Sequence, residues 1–297
     1  HDIPSKVDGT AMFAMDVKRP GMVYAAVKRT PVAGGTLRRV DDKAARAMKG
    51  VIDVVKVGPS SAAGLVGTYS AGDTIAVVAD SYWTAEKALA SLKLEWNTEG
   101  KERVSSESIF EQFDRDITAG VDRANDVAMG DATAAFDSAA TVLTADYRVP
   151  YLAHTCMEPP NATAEVFADR AEIWVGCQNP LGFRQHLAAN LGLDVQQVTL
   201  HNYFMGGGFG RKSNADYALQ AAMIARQVGR PVQMVYSRAE DIKQDFYRPA
   251  VQSRFKAGLD ADGKLVAWQN TYVDKHEPVE APLIPYAIAA QDIGHVA

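Results

Sequence analysis

The sequence predicts an α+β fold in which helices and strands alternate as they do in α/β units. Three observations support this prediction. β-branched runs such as VIDVVKV at 51–57 are typical of strands. Segments with helical spacing and a capping residue lie between such runs, for example SYWTAEKALASL from Ser81. The chain has 297 residues, of which 47% are hydrophobic, which is enough for about two domains with cores of their own.

The first predicted domain covers residues 1–96. Its predicted strands lie at 21–28, 51–57, 74–80 and 93–96, and its predicted helices at 41–49 and after Ser81. Asp41 or Asp42 is the expected N-cap of the first helix, and Gly50 is its expected stop.

Residues 97–140 are predicted to connect two domains. The segment is polar, contains one amphipathic helix near 105–118, and ends in the weakly patterned DVAMGDATAAFDSAA. A surface excursion of a single domain is an equal alternative.

The second predicted domain covers residues 141–297. In order, it contains a strand at 141–150, a hairpin turning at 168–170, a helix from Pro180, the strand QQVTLHNYF, a helix at 214–228, the strand RPVQMVYS, and a hairpin turning at the DADG of 260–263.

Composition and charge exclude several classes of protein. The net charge is -5 and the pI about 5.7, whereas nucleic acid or an anionic membrane would favour a basic surface. No apolar run approaches the ~20 residues that span a bilayer. The first residue is His1 rather than Met, and the start, HDIPSKVDGTAMFAMDV, lacks the pattern of a signal peptide, so we expect a processed chain or part of a longer one.

The two cysteines, Cys156 and Cys177, are too few for an iron–sulfur cluster, which usually needs four ligands, and lack a zinc-binding spacing. Two unpaired, buried thiols are expected rather than a disulfide.

A glycine-rich stretch, GGGFG at 206–210, follows a predicted strand and precedes a predicted helix. It resembles a P-loop, since Lys212 and Ser213 fit that pattern, but Arg211 stands where the P-loop has its second glycine. The dinucleotide pattern fails as well. Consecutive glycines let peptide N–H groups approach a ligand, and a helix N-terminus adds further donors. We therefore favour ligand contact over a plain tight turn.

Other candidates are weaker. In HTCMEPP, a strand would place His154, Cys156 and Glu158 on one face, where they could bind a metal, although separate packing is the favoured interpretation. Gln178 ends a strand, where it either reaches a ligand or, like Asn179, caps the next helix.

Arg238 and Arg248 could hold phosphate or carboxylate, but each is more often a surface ion-pair partner, with Glu240 and Asp241 close by in sequence.

Several segments, taken in this order, resemble one family. AHTCMEPPNATAEV, CQNPLGFRQHLAANLGL, MGGGFGRK and GRPVQMVYSRAEDIKQDFYRP are similar to the molybdenum-binding subunit of the xanthine oxidase family. The resemblance is closest to the isoquinoline 1-oxidoreductase beta subunit and to the large subunit of aldehyde oxidoreductases. DIPSKVDGTAMFAMDVKRPGMVYAAVKR resembles the family's α/β-hammerhead domain. The implied fold is therefore a hammerhead domain at 1–96, then the first part of a molybdopterin-binding domain.

The resemblance implies a molybdenum hydroxylase that oxidises an aldehyde or an N-heteroaromatic compound with water as oxygen source. Its implied cofactor is a molybdenum–pterin group, in bacteria often molybdopterin cytosine dinucleotide. A small partner subunit would carry the [2Fe–2S] clusters. The compartment stays open between bacterial periplasm and cytoplasm, and the periplasm is slightly favoured.

The resemblance also implies site residues. The cofactor-binding residues would be Gln178, Gly207, Gly208, Phe209, Gly210 and Arg211. Phe209 and Arg248 would face the substrate pocket. No metal ligand is assigned.

Three departures matter. Ser213 replaces a glutamate of the xanthine-acting branch, so a purine substrate is disfavoured. Leu152 stands where that branch has a glutamine. The chain is also less than half the family's length, and the family's catalytic glutamate lies near the C-terminus. We therefore expect an internal fragment without the catalytic base, inactive alone, with weak or absent cofactor. The alternatives are a P-loop-like nucleotide-binding protein and a non-catalytic scaffold that binds an iron–sulfur partner.

Overall fold

The chain divides into two units, and each unit is assembled from two separate stretches of sequence. The first combines His1–Lys101 with Ala153–Phe246, and the second combines Glu102–Leu152 with Tyr247–Ala297. The computed structural model describes residues 2–58, 60–64, 67–100, 104–120, 122–273, 284 and 286–296. Helices and sheets occur in both units, which confirms the predicted α+β class.

The strands of the described residues, in chain order, are β1 (Val23–Arg29), β2 (Thr36–Asp41), β3 (Val51–Val57), β4 (Ser60–Gly64), β5 (Gly67–Ala71), β6 (Thr74–Ala79), β7 (Lys93–Asn97), β8 (Ala124–Met129), β9 (Thr141–Val149), β10 (Asn161–Val166), β11 (Ala171–Val175), β12 (Val198–Asn202), β13 (Val232–Val235), β14 (Val251–Leu259), β15 (Leu265–Val273) and β16 (Ala290–Val296). The α-helices are α1 (Ile3–Asp8), α2 (Lys43–Arg46), α3 (Tyr82–Ser91), α4 (Ser106–Ala119), α5 (Ala132–Asp137), α6 (Pro180–Leu191), α7 (Asp216–Val228) and α8 (Arg238–Lys243).

Each predicted strand and helix has a counterpart in the structure, although α2 is much shorter than the helix predicted at 41–49. Local chemistry explains the agreement. The Ser81 hydroxyl accepts the Thr84 N–H and so starts α3. Asn179 precedes Pro180, the first residue of α6, and its side-chain amide oxygen accepts the Gly182 N–H.

The first unit is built on a seven-stranded mixed sheet with the order β12-β11-β10-β13-β1-β6-β3. β1 is an interior strand, fifth in this order, parallel to β13 with Val23 opposite Val232, and antiparallel to β6. β11 and β12 are also parallel. The N-terminal strands and those after residue 160 therefore share one sheet.

Both faces of this sheet are covered, so its strands are almost continuously apolar. Val23, Ala25 and Val27 face the core formed with α6 and α7, whereas Ala26 faces the core formed with α3. α7 buries a stripe of alanines, Ala218, Ala221, Ala222 and Ala225, which lets the helix lie close to the strands.

The second unit contains a five-stranded sheet with the order β8-β16-β15-β14-β9. α4 packs on this unit's core, where Phe113 and Ile117 meet Ala250, Val273 and Val296.

Most of the segment 97–140, predicted as a connection, supplies α4, β8 and α5 to the second unit. The helix predicted near 105–118 is confirmed as Ser106–Ala119, because Ser105 and Ser108 form a reciprocal N-terminal cap. The division into a hammerhead domain, a connecting segment and a partial cofactor domain stays a prediction.

Across the described ranges, every helix is too short or too polar to cross a bilayer.

Candidate functional site

The glycine loop at 206–210 lies in the first unit, between β12 and the short 3-10 helix Arg211–Ser213. Its backbone is unusual: φ is 102° at Gly207, 50° at Phe209 and 98° at Gly210. Glycine adopts such angles freely, whereas a left-handed phenylalanine costs about 1–2 kcal/mol. A loop that holds Phe209 in this conformation must be fixed by its surroundings.

Close contacts explain why side chains are missing from the loop. A Cβ on Gly206 would lie 2.5 Å from Cβ of Glu158, and one on Gly208 would lie 2.6 Å from Oε1 of Gln178. A Cβ at Gly206 would thus collide with Cβ and backbone atoms of Glu158, whereas one at Gly208 would displace the Gln178 side chain from its contact with the loop.

The segment 154–158 lies against the loop and braces it. The Glu158 carboxylate accepts the Gly206 N–H at 2.9 Å, and the Glu158 N–H donates to the Gly206 carbonyl at 3.0 Å. The Cys156 thiol donates to the carbonyl of Gly208 at 3.4 Å. Successive points of the loop are thus tied to alternate residues of one segment.

The third residue of the alternation, His154, places its ring beside Gly210, with Nε2 3.7 Å from the position of a Cβ on that glycine. The segment is irregular rather than a strand, since Thr155 has a φ of 48°. The shared face of His154, Cys156 and Glu158 was predicted on the condition that the segment is a strand. The segment is not a strand, so that part of the prediction is wrong. Within the described parts of the chain, no group of three metal-ligating side chains occurs.

Arg238, at the start of α8, fixes the backbone of the segment 154–158 that braces the loop. One guanidinium nitrogen donates to the carbonyls of Cys156 and Met157 at 2.6 and 3.0 Å, and the other contacts the Asp241 carboxylate at 2.5 Å. The predicted ion pair is confirmed, and the same side chain fixes the backbone under the loop.

Gln178 supports the loop from the other side. Its side-chain Oε1 accepts the Gly210 N–H at 3.0 Å, and its backbone N–H donates to the Lys212 carbonyl at 2.9 Å. The helix cap is formed by the neighbouring Asn179. Asn179 thus provides the predicted helix cap. The side-chain oxygen of Gln178 accepts a hydrogen bond from the loop itself.

Lys212 is buried and pairs with Glu158 at 2.7 Å. Burial opposes ionisation of Glu158, but the Lys212 ammonium and the Gly206 N–H outweigh it and lower the pKa of that carboxyl. Because the ammonium is committed to this pair, it is not free to hold a nucleotide phosphate, as a P-loop lysine would.

Arg211 is 1% exposed and lies in a network of buried charges. Its guanidinium donates to both oxygens of Asp216 at 2.8 and 3.0 Å. Its Nε lies 3.1 Å from Asp245, although this N–H does not point at the carboxylate. Arg29 reaches Asp216 at 3.5 Å. The Arg211 side chain therefore supports the loop from within, and its backbone N–H donates to the Gly208 carbonyl at 2.8 Å.

The tip of the loop keeps its own donors free. The N–H groups of Gly207, Gly208 and Phe209 form no hydrogen bond within the part of the chain that the structure describes, whereas those of Gly206 and Gly210 are bonded. The Phe209 side chain is 76% exposed. The loop thus presents three consecutive peptide donors and one aromatic ring.

α7 begins at Asp216 rather than at the predicted residue 214, and the 3-10 helix separates it from the glycines. Asp216 and Tyr217 are buried at this N-terminus, and Asp216 is paired with Arg211. The prediction that the helix follows the glycines directly is therefore wrong.

The structure brings most of the predicted cofactor residues together, namely Gln178, the loop 207–210 and the Arg211 backbone. Arg248 belongs to the second unit, where it is exposed and donates to the Pro150 carbonyl at 2.9 Å. Their roles toward a cofactor or substrate stay predictions.

Asp216 and Asp245 were not predicted, and Glu158 was considered only as part of a metal face. The sequence carries one usable signal for Asp216, namely an acidic residue five positions after Arg211 and at the start of a helix. Asp245 lacks such a local signal.

Cys156 and Cys177 are free and buried, which confirms the expected pair of unpaired thiols. Burial raises the pKa of Cys156, and it raises the pKa of Cys177 to about 11. Both thiols therefore stay protonated at neutral pH and act as small apolar side chains.

We expect the buried ion pair of Glu158 and Lys212 to make the fold acid-sensitive. The folded-state pKa of Glu158 lies below its unfolded value of about 4.3, so its contribution to stability is full above that pH and is lost as pH falls through the folded pKa. The free energy of unfolding in urea, measured at pH 7, 5 and 3.5, should therefore fall less steeply for Glu158→Gln than for the wild type. The exposed Glu111→Gln serves as control, and parallel curves for all three proteins would contradict the assignment.

Comparison with known proteins adds to this geometry. A family model described as a molybdopterin cofactor-binding domain matches residues 114–291. A membrane-bound aldehyde dehydrogenase [pyrroloquinoline-quinone] of Gluconacetobacter polyoxogenes is 32% identical over 90% of this chain and 34% of its own length. The isoquinoline 1-oxidoreductase subunit beta of Brevundimonas diminuta is 32% identical over 91% of this chain and 34% of its own. The chain thus spans about a third of the length of these relatives.

Among solved structures, quinoline 2-oxidoreductase from Pseudomonas putida 86 is similar to the whole chain, with a TM-score of 0.71, 19% identity and 43% of that structure covered. This likeness supports the fold. The family model covers more than half of the chain and includes the glycine loop and the segments that brace it. The chain therefore belongs to the family of molybdopterin cofactor-binding domains, within the molybdenum-binding subunits of the xanthine oxidase family.

Proposed function

We propose that the glycine loop holds a molybdenum–pterin cofactor by its backbone, in a hydroxylase that oxidises an aldehyde or an N-heteroaromatic compound. The observation that carries this proposal is the run of three peptide N–H groups at Gly207, Gly208 and Phe209 that have no hydrogen-bond partner among the described residues. Unpaired donors side by side match the oxygen and nitrogen acceptors of a phosphorylated pterin.

The loop also fits such a group sterically. A side chain at Gly206 or Gly208 would collide with the bracing residues, so the backbone itself forms the surface. The donors are fixed before binding, because Glu158 and Gln178 hold the two flanking N–H groups. A preorganised donor array costs little ordering entropy when a ligand arrives.

When bound, the cofactor supplies the redox chemistry, with water as the source of oxygen. The residues of this chain bind and orient it. The exposed Phe209 ring is proposed to cover the reacting end and limit the access of water, and Arg248 is proposed to face the substrate. The proposal assigns no catalytic base to these residues.

The finer features are proposals as well. The aldehyde and isoquinoline enzymes among the relatives favour these two substrate classes. We propose the cytosine dinucleotide form of the cofactor, a small [2Fe–2S] partner subunit, a periplasmic location and an isolated chain that is inactive.

The decisive experiment is metal and pterin analysis of the full-length protein that contains this sequence. We expect about one molybdenum and one pterin per polypeptide. Gly208→Ala should lower the pterin content about threefold to tenfold, because its Cβ would push Gln178 away from the Gly210 N–H, and a lost hydrogen bond costs about 0.5–1.5 kcal/mol.

Gly58→Ala is the matched control, since a Cβ at that glycine meets no atom within 4 Å. A wild-type protein that contains pyrroloquinoline quinone and lacks pterin would refute the proposal. Equal pterin content in Gly208→Ala and Gly58→Ala would show that the loop is not the binding element.

A further inference from the structure

His154 is held in one orientation by the buried carboxylate of Asp245. Both the backbone N–H of His154 and its ring Nδ1 contact Asp245, with Nδ1 3.0 Å from Oδ2. The Asp245 side chain is fully buried, and the Arg211 guanidinium lies against its other oxygen. A ring fixed by a carboxylate at Nδ1 is in the tautomer that carries its proton there.

The opposite ring nitrogen is directed at the glycine loop. Nε2 lies beside Gly210, and it has no hydrogen-bond partner among the residues the structure describes. The side chain is 17% exposed, so solvent or a ligand can reach it. An oriented imidazole thus stands next to the three free peptide donors of the loop tip.

We propose that His154 contacts the cofactor, its Nε2 forming a hydrogen bond with an anionic oxygen of the bound group next to the loop amides. This inference rests on the proposed function. In the imidazolium form Nε2–H is a fourth donor, and it adds a positive charge that the peptide groups lack. The Asp245 carboxylate holds the ring at Nδ1, and Arg211, which itself pairs with Asp216, lies on the far side of that carboxylate.

Two substitutions separate ligand contact from a structural role. His154→Asn keeps a donor near Nδ1 for Asp245 but removes the atom that faces the loop. His154→Gln carries its amide nitrogen close to the position of Nε2 but gives up the Nδ1 contact. A structural role predicts that asparagine is the better replacement, and ligand contact predicts that glutamine is.

The test is the pterin content of the full-length protein as purified. We expect about a tenfold loss in His154→Asn and less than about a threefold loss in His154→Gln. His186→Asn on α6 is the control, because the hydrogen bond of its ring, 3.4 Å from Nε2, is to Asn190 of the same helix. Equal or opposite losses in the two His154 variants would overturn the inference while the wild-type content still supports the proposed function. A wild-type protein without pterin would refute both.

A second measurement covers the case in which the variants do not fold. In wild-type protein with ¹⁵N-labelled histidine, the Nε2 resonance of His154 should differ between cofactor-loaded and cofactor-free protein, because a hydrogen bond from Nε2 to the bound group changes the shielding of that nitrogen. An identical Nε2 resonance in the two forms would contradict the contact.

Discussion

Asp216→Ala is expected to lower the free energy of unfolding by about 3–5 kcal/mol, the usual loss when one partner of a buried ion pair is removed. The Asp216 carboxylate is fully buried between two guanidinium groups, Arg211 at 2.8 Å and Arg29 at 3.5 Å. Its removal leaves both positive charges in the interior without this counter-ion. Urea unfolding at pH 7 measures the effect.

The matched control is Asp169→Ala, whose carboxylate forms an exposed pair with Arg170. Exposed pairs contribute little, so this variant should change stability by less than about 1 kcal/mol. A loss below about 1 kcal/mol in Asp216→Ala as well would mean that the buried network does not hold the loop in place.

Lys212→Met is expected to cost about 3 kcal/mol, because it leaves the buried Glu158 carboxylate without its cation. This loss of stability should fall at the lower end of the range of about 3–5 kcal/mol for buried ion pairs, since Glu158 still accepts the N–H of Gly206. Adding Glu158→Gln to Lys212→Met should recover most of the stability, as the amide oxygen can still accept that N–H. Urea unfolding of the single and double variants measures both effects.

The exposed Lys243→Met is the control for the loss of a positive charge. The same variants decide between the cofactor loop and the P-loop alternative. Tight ATP binding by the wild type that disappears in Lys212→Met would support a nucleotide site, whereas thermal stability unaffected by ATP agrees with a lysine buried in an ion pair.

Most helices and strands were predictable because their signals are local. The β-branched run 51–57 and the Ser81 cap each act within one turn or one strand, and the structure confirms them. The strand order was not predictable. β1 pairs in parallel with β13, which lies far along the chain, and neither sequence specifies the other.

The site, too, was predictable only where its sequence signals are local. The glycines predicted a bare backbone. His154, Cys156 and Glu158 all meet the loop, but they do so from an irregular segment and by separate contacts, not from one face of a strand. The sequence did not predict that Arg211 points inward, because its carboxylate partners Asp216 and Asp245 come from separate elements. Side-chain direction depends on packing that a linear pattern does not record.

The position of β1 inside the sheet, between β13 and β6, has a consequence for biosynthesis. On the ribosome, the edge of β1 that β13 later covers stays open until roughly 200 more residues have been made, about 10–40 s at 5–20 residues per second. During that interval the nascent chain presents an uncovered apolar strand, a target for chaperones and for aggregation. Slow translation or a premature stop before Val232 would lengthen this exposure, so the yield of soluble protein should depend on how quickly the ribosome reaches that point.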